Sequence, residues 1–147
     1  MPTVLYAEDD RDCRELFSFI LRQHDFTVYE ANNGNQAVQI AREEQVDLAI
    51  LDVRMPMMSG YDTARLIAQQ DGQTPVIFLS AKGLSREIDK GFDCGPMVVD
   101  YMIKPVSPAD LVDRVTEVLD GCQERGLAAI REENLAMITE GRQHAVI

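Results

Sequence analysis

Leu48-Ala49-Ile50-Leu51-Asp52-Val53-Arg54-Met55-Pro56-Met57-Met58-Ser59-Gly60 is the stretch on which the fold of this chain turns. Its first four residues are apolar without alternation, which suits a strand buried on both faces, as in a parallel sheet. The run stops at an acid, Asp52, and breaks into a loop containing proline and glycine. Ser59 and Asp62, three residues apart, have the spacing of a helix N-cap pair. They open a predicted helix through Ala64, Leu66, Ile67 and Ala68. The unit is thus a strand, an acid at its carboxyl end, a loop and a helix.

Strand and helix signals alternate on both sides of it as well. Upstream, the apolar run Val4–Ala7 ends at Glu8-Asp9-Asp10, and Cys13, Leu16, Phe17, Ile20 and Leu21 follow at helical spacing. Cys13 on that stripe is expected to be a small buried hydrophobe. Phe26–Ala31 gives a second strand, and Asn32-Asn33-Gly34 is turn chemistry. Ala37, Val38, Ile40 and Ala41 then mark the inner side of the next helix. Downstream, Asp71-Gly72 stops the third helix, and Pro75–Leu79 is a fourth strand ending at Ser80. A weaker helix carries Leu84, Ile88 and Phe92 among Gly83, Gly91 and Gly95. Tyr101–Ile103 makes a short fifth strand closed by Lys104-Pro105. Ser107, Pro108 and Asp110 form a helix start, and Leu111, Val115, Val118 and Leu119 form its buried stripe.

Strands alternating with helices require parallel pairing and helices on both faces. Right-handed crossovers then leave an α/β fold with a doubly wound five-stranded parallel sheet. The predicted domain covers residues 1–121. Residues 122–147 follow as a C-terminal tail, expected to be a helical linker or extension bearing Leu127, Ile130, Leu135, Met137 and Ile138. Gly126 and Gly141 limit its length, and the tail is too short for a DNA-binding or catalytic effector domain.

Composition narrows the function classes. A hydrophobic fraction of 46% fills one core, and a net charge of −11 repels nucleic-acid phosphates and anionic membrane surfaces. No run approaches a membrane span, and the N-terminus has no signal-like apolar segment. Cys13, Cys94 and Cys122 are far apart without metal spacing, which points to reduced thiols and a cytoplasmic location.

Ligand sites of open parallel sheets form at the carboxyl ends of the strands. Here those ends carry Glu8-Asp9-Asp10, Asp52, Ser80 and Lys104. Clustered carboxylates repel one another unless a cation joins them, and all-oxygen ligands suit Mg²⁺. A carboxylate can attack phosphorus to give an acyl phosphate. A metal, a lysine and a hydroxyl can neutralise the charge on the transferring group. The residues point to phosphoryl transfer onto an aspartate.

Four motifs now carry a resemblance. Leu5-Tyr6-Ala7-Glu8-Asp9-Asp10 followed by Arg14, and Leu51-Asp52-Val53-Arg54-Met55-Pro56 followed by Gly60, resemble two motifs of response-regulator receiver domains of two-component systems. Phe78-Leu79-Ser80-Ala81 and Asp100-Tyr101-Met102-Ile103-Lys104-Pro105 resemble the other two, and the likeness covers about residues 3 to 121. The resemblance implies a flavodoxin-like receiver fold with Asp52 as phospho-acceptor. Glu8 and Asp9 would be the acidic pair around Mg²⁺, Asp9 as a direct ligand and Glu8 through water. Asp10 is chemically as capable, but the spacing to Arg14 aligns the first two acids with the family's pair. Arg54 would offer its backbone carbonyl to the metal. Ser80 would hydrogen-bond the phosphoryl oxygens, Lys104 would pair with the charged group, and Tyr101 would swing inward when Ser80 is drawn to the phosphate.

The implied partners are a histidine kinase or phosphotransfer protein upstream and a downstream protein or fused effector, with a homodimer among the options. The implied readout is a changed surface around the fourth helix, fifth strand and fifth helix. One departure concerns that surface: Gly95-Pro96-Met97-Val98-Val99-Asp100 is longer than usual for the family. Met57 and Met58 read as packing or partner contacts. The Arg54 and Lys82 side chains read either as hindrance to water at the acyl phosphate or as solvated charges. Two other classes remain: a Mg²⁺-dependent phosphatase with an aspartyl nucleophile, and a receiver-like binding module without phosphorylation. Phosphatases of that kind usually carry Asp-x-Asp at the first strand, whereas Asp52 ends the third.

Overall fold

The computed structural model describes residues 1–141. The chain alternates β1 (Thr3–Ala7), α1 (Arg11–Gln23), β2 (Thr27–Ala31), α2 (Gly34–Glu43), β3 (Leu48–Asp52), α3 (Gly60–Gln70), β4 (Val76–Ser80), α4 (Ser85–Phe92), β5 (Val98–Ile103) and α5 (Pro108–Arg125). A further helix, α6 (Leu127–Thr139), follows. The sheet is parallel throughout, in the order β2-β1-β3-β4-β5. The strand order reverses between β1 and β3, so the crevice at their carboxyl ends is where this topology places a ligand.

The unbroken apolar runs are explained by a core on each face. Leu5, Ala7, Ala49, Leu51, Val76 and Phe78 point to one side with α2, α3 and α4. Val4, Tyr6, Leu48, Ile50, Ile77 and Leu79 point to the other with α1 and α5. Alternation of side chains along a strand means that a strand covered on both faces needs apolar residues at every position. Several helix starts are fixed by side-chain caps. Asp10, Asn33, Ser59 and Ser107 accept from the backbone N–H groups of Cys13, Gln36, Asp62 and Asp110.

Some expectations need correcting. Leu16 is 51% exposed, off the buried stripe of α1, and Cys13 is only partly buried. Leu84 is the N-cap residue of α4 rather than part of its apolar stripe, and it is 57% exposed. The fifth strand is longer than Tyr101–Ile103, because it starts at Val98. Its register explains why: Val76 pairs with Val98 but Ile77 pairs with Asp100, so Val99 is an extra residue in the ladder. The additional length before Tyr101 is therefore taken up partly inside the strand.

A boundary at residue 121 falls within α5, which continues to Arg125. Beyond α5, helix α6 is packed onto the sheet unit. Ile130 joins the core on the α5 side and Ile138 the core on the α4 side. Burying each is worth roughly 1.5–3 kcal/mol as an upper figure. Residues 142–147, the end of the expected tail, lie outside the described residues.

Candidate functional site

Asp52 is the last residue of β3, and Glu8 directly follows β1 on the neighbouring strand. Both are nearly inaccessible, at 4% and 2% exposure, whereas Asp9 is exposed. One oxygen from each of Glu8, Asp9 and Asp52 lies within 4.8 Å of the others. Lys104, just beyond β5, reaches across with its Nζ 3.1 Å from Glu8 Oε1 and 3.2 Å from Asp52 Oδ2. Arg14 donates to the backbone carbonyl of Glu8 at 2.8 Å, holding the turn after β1 from below.

The third acid of the run does something else. Asp10 Oδ1 accepts from the Cys13 N–H at 3.1 Å, so that carboxylate is spent on starting α1. The loop after Asp52 returns tightly: the Gly60 N–H donates to the Val53 carbonyl at 2.8 Å. A Cβ on Gly60 would collide with the Asp52 carbonyl oxygen, so only glycine allows this approach. Arg54 sits in that loop with an exposed side chain, and Met55 is buried beneath it.

Ser80 ends β4 and is buried, and its Oγ accepts from the Lys82 N–H at 3.1 Å. Its backbone carbonyl accepts from the Lys104 N–H at 2.7 Å, which ties the tips of β4 and β5 together. Tyr101 is fully buried and already points inward, its hydroxyl donating to the Lys82 carbonyl at 3.0 Å. The sequence reading missed its neighbour, Tyr61, in the first turn of α3. The Tyr61 hydroxyl donates to the Glu87 carbonyl at 3.1 Å and lies 3.2 Å from the Tyr101 hydroxyl. With one proton each, the pair cannot make all three bonds at once. Lys82 was singled out for its side chain, yet it is its backbone that connects Ser80 to Tyr101.

The electrostatics are those of a crowded acidic site. Burial raises the Glu8 pKa, the hydrogen bond and charge of Asp52 raise it further, and Lys104 offsets part of this. Asp9 is raised by burial and then by Glu8. For Lys104, burial favours the neutral amine, but Asp52 and Glu8 together outweigh it and hold the ammonium charged more firmly than usual. Below the site, the Tyr6 hydroxyl is buried without a hydrogen-bond partner among the described residues, and burial keeps its proton firmly on.

Three carboxylates against one ammonium leave the cluster with excess negative charge, and the donors are all oxygen. That donor set fits a hard divalent ion such as Mg²⁺ rather than a thiophilic metal.

Comparison with known proteins bears on the family and the fold. The family model for the response regulator receiver domain matches residues 4–116. The transcriptional regulatory protein SrrA of Staphylococcus aureus is 34% identical over 116 residues, covering 79% of this chain and 47% of that protein. This chain thus spans about half the length of the curated relatives it matches. Among solved structures, the Francisella response regulator 1452 receiver domain aligns with a TM-score of 0.76 at 27% identity, covering 82% of this chain and 98% of that one. The BeF3-activated DrrB receiver domain aligns with a TM-score of 0.74 at 30% identity, again over 82% and 98%.

Proposed function

We propose that this chain, which belongs to the response-regulator receiver domain family, accepts a phosphoryl group on Asp52 and changes its interaction surface in response. The observation that carries this reading is the placement of Asp52 at the tip of β3, beside Glu8 and Asp9 and 3.2 Å from Lys104 Nζ.

An Asp52 carboxylate oxygen attacks the phosphorus of a phosphohistidine on a histidine kinase or phosphotransfer protein. The P–N bond breaks, an acyl phosphate forms, and the departing imidazole takes a proton. Glu8, Asp9, Asp52 and the Arg54 carbonyl would hold Mg²⁺, whose chemistry is to offset charge on the phosphoryl oxygens. Lys104, already held at Asp52, supplies a second positive charge. The Ser80 hydroxyl turns from the Lys82 N–H to a phosphoryl oxygen, adding a donor at the cost of one local hydrogen bond.

The same reading makes the chain a signalling domain that modifies only itself, acting in the cytoplasm. No helix among the described residues is long and apolar enough to cross a membrane. The downstream target is a partner protein or a segment joined to this domain.

The test is intact mass after incubation with Mg²⁺ and a small acyl-phosphate donor, for the native chain and Asp52→Asn. One phosphoryl group on the native chain and none on Asp52→Asn is the expected result. No modification of either chain, with magnesium binding shown independently, would end the phosphotransfer reading.

A further inference from the structure

Helix α6 lies beyond the residues that match the family, yet its docking is specific. Ile130, Asn134 and Ile138 recur at i, i+4 and i+8, and all are buried. Two of the polar side chains between the isoleucines, Arg131 and Asn134, are matched to backbone groups. Arg131 Nη1 donates to the carbonyls of Gly95 at 2.7 Å and Val98 at 2.9 Å. Its Nη2 donates to the Phe92 carbonyl at 2.9 Å, with the guanidinium 5.1 Å from the centre of the Phe92 ring. Asn134 Nδ2 donates to the Val99 carbonyl at 2.9 Å.

All four carbonyls belong to the end of α4, the connection after it and the bulged start of β5. A bulge takes backbone groups out of the ladder, and buried carbonyls need donors from elsewhere. For Val98 and Val99 two side chains of α6 supply them, while the Phe92 and Gly95 carbonyls, which also accept from the Gly95 and Val98 N–H groups, gain a second donor. The irregular start of β5 and the helix that covers it therefore fit each other as one feature.

The parts that α6 grips are the parts the proposed switch uses. Tyr101 is three residues past Val98 on the same strand and shares an apolar cluster with Ile88, Phe92 and Ile138. Its hydroxyl holds the Lys82 carbonyl, and the Lys82 N–H is held by Ser80. A continuous set of contacts thus runs from α6 through Tyr101 to Ser80.

We infer that α6 is a resident partner of the switch: docked on β5 it holds Tyr101 inward, and phosphorylation of Asp52 and docking of α6 favour one another. The coupling rests on the phospho-acceptor reading above. Its direction follows from the coexistence of docked α6 and inward Tyr101, and thermodynamic linkage makes it reciprocal. A protein that reads this domain then meets α6 rather than a bare edge of β5.

Amide hydrogen exchange on the full chain, with phosphoryl occupancy read in parallel by intact mass, tests the inference. In the native chain, exchange across 127–139 is expected to slow roughly fivefold or more once Asp52 is modified. Arg131→Ala should speed exchange there in the unmodified chain, and Asn134→Ala should do so to a smaller extent. Protection of β1 to β3 serves as the control for folding. Full phosphorylation by mass with unchanged or faster exchange in α6 would overturn the inference and leave the receiver reading standing. A chain that gains no phosphoryl group would take down both, and the mass alone would tell the cases apart. Since the native chain decides the coupling, poor folding of either variant leaves the test intact.

Discussion

Two clusters of buried charge flank the same strand, and they are built on opposite principles. At the carboxyl end of β5, Lys104 faces Glu8 and Asp52 with Asp9 beside them, so negative charge exceeds positive and the lysine side chain stays 33% exposed. Near the start of β5, Asp100 is sealed at 0% exposure against Arg114 Nε at 3.3 Å. That aspartate also accepts the Tyr101 N–H, and Arg114 Nη1 reaches Asn134 at 3.4 Å. That buried pair sets one charge against one, with the exposed Glu117 carboxylate farther from Arg114 at 3.8 Å, and it holds α5 and α6 to the sheet. The unbalanced cluster is left short of positive charge at the place where a metal and a phosphoryl group would enter. Imbalance next to solvent distinguishes a site that binds from a site that braces.

The largest expected effect separates the two clusters. Asp100→Ala strands the Arg114 charge in the interior and should cost about 3–5 kcal/mol in chemical denaturation, with no recovery on adding Mg²⁺. Lys104→Met should cost less, on the order of 1–2 kcal/mol without metal, since the lysine is partly solvated. Here Mg²⁺ should restore most of the loss, because a cation replaces the missing charge. If Mg²⁺ restores Asp100→Ala equally well, the distinction fails.

The acidic site should also make stability depend on pH. Glu8 and Asp9 have raised pKa values in the fold, so the folded chain holds their protons more tightly than the unfolded chain. Metal-free stability from these two groups should therefore increase as pH falls through their folded pKa values, and be complete below the unfolded ones. Mg²⁺ binding should weaken over the same interval, starting above the usual carboxylate range, as protons compete for the ligands. Paired urea titrations with and without metal would show the two trends crossing.

The smallest effects involve tyrosine hydroxyls on the two sides of the sheet. Tyr61→Phe removes a donor from the Glu87 carbonyl and should destabilise by about 1 kcal/mol. Tyr6→Phe removes a hydroxyl with no partner among the described residues and should be neutral or stabilising by up to ~1 kcal/mol. Opposite signs for the same chemical change would confirm that one hydroxyl is part of a network and the other is not.

Much of this could be read directly along the chain. Apolar runs such as Leu48–Leu51 and Val4–Ala7 announce strands covered on both faces, and the polar residue that ends each run marks the functional edge. Glu8, Asp9, Asp52 and Lys104 were found by that logic, and the structure gathers them. The errors fall where local pattern is ambiguous. Leu84 lies at helical spacing from Ile88 yet stands before the helix, because the N-cap precedes the first helical turn. Val98 and Val99 look like a loop beside Gly95 and Pro96, but they open β5 around a bulge. Tyr61 carried no signal at all, since a tyrosine in a first helical turn is unremarkable until its partner is known.

The sequence by itself determined the alternation of strands and helices, the layering and the chemistry at the strand tips, because each is written in residues adjacent in the chain. Tertiary structure decided the rest. It assigned Asp10 to a helix cap, joined Tyr61 to Tyr101 across 40 positions, and set Arg131 against carbonyls more than 30 positions away. Such contacts have no local signature. They exist only once the sheet has brought distant segments together, where each buried polar group must find a partner.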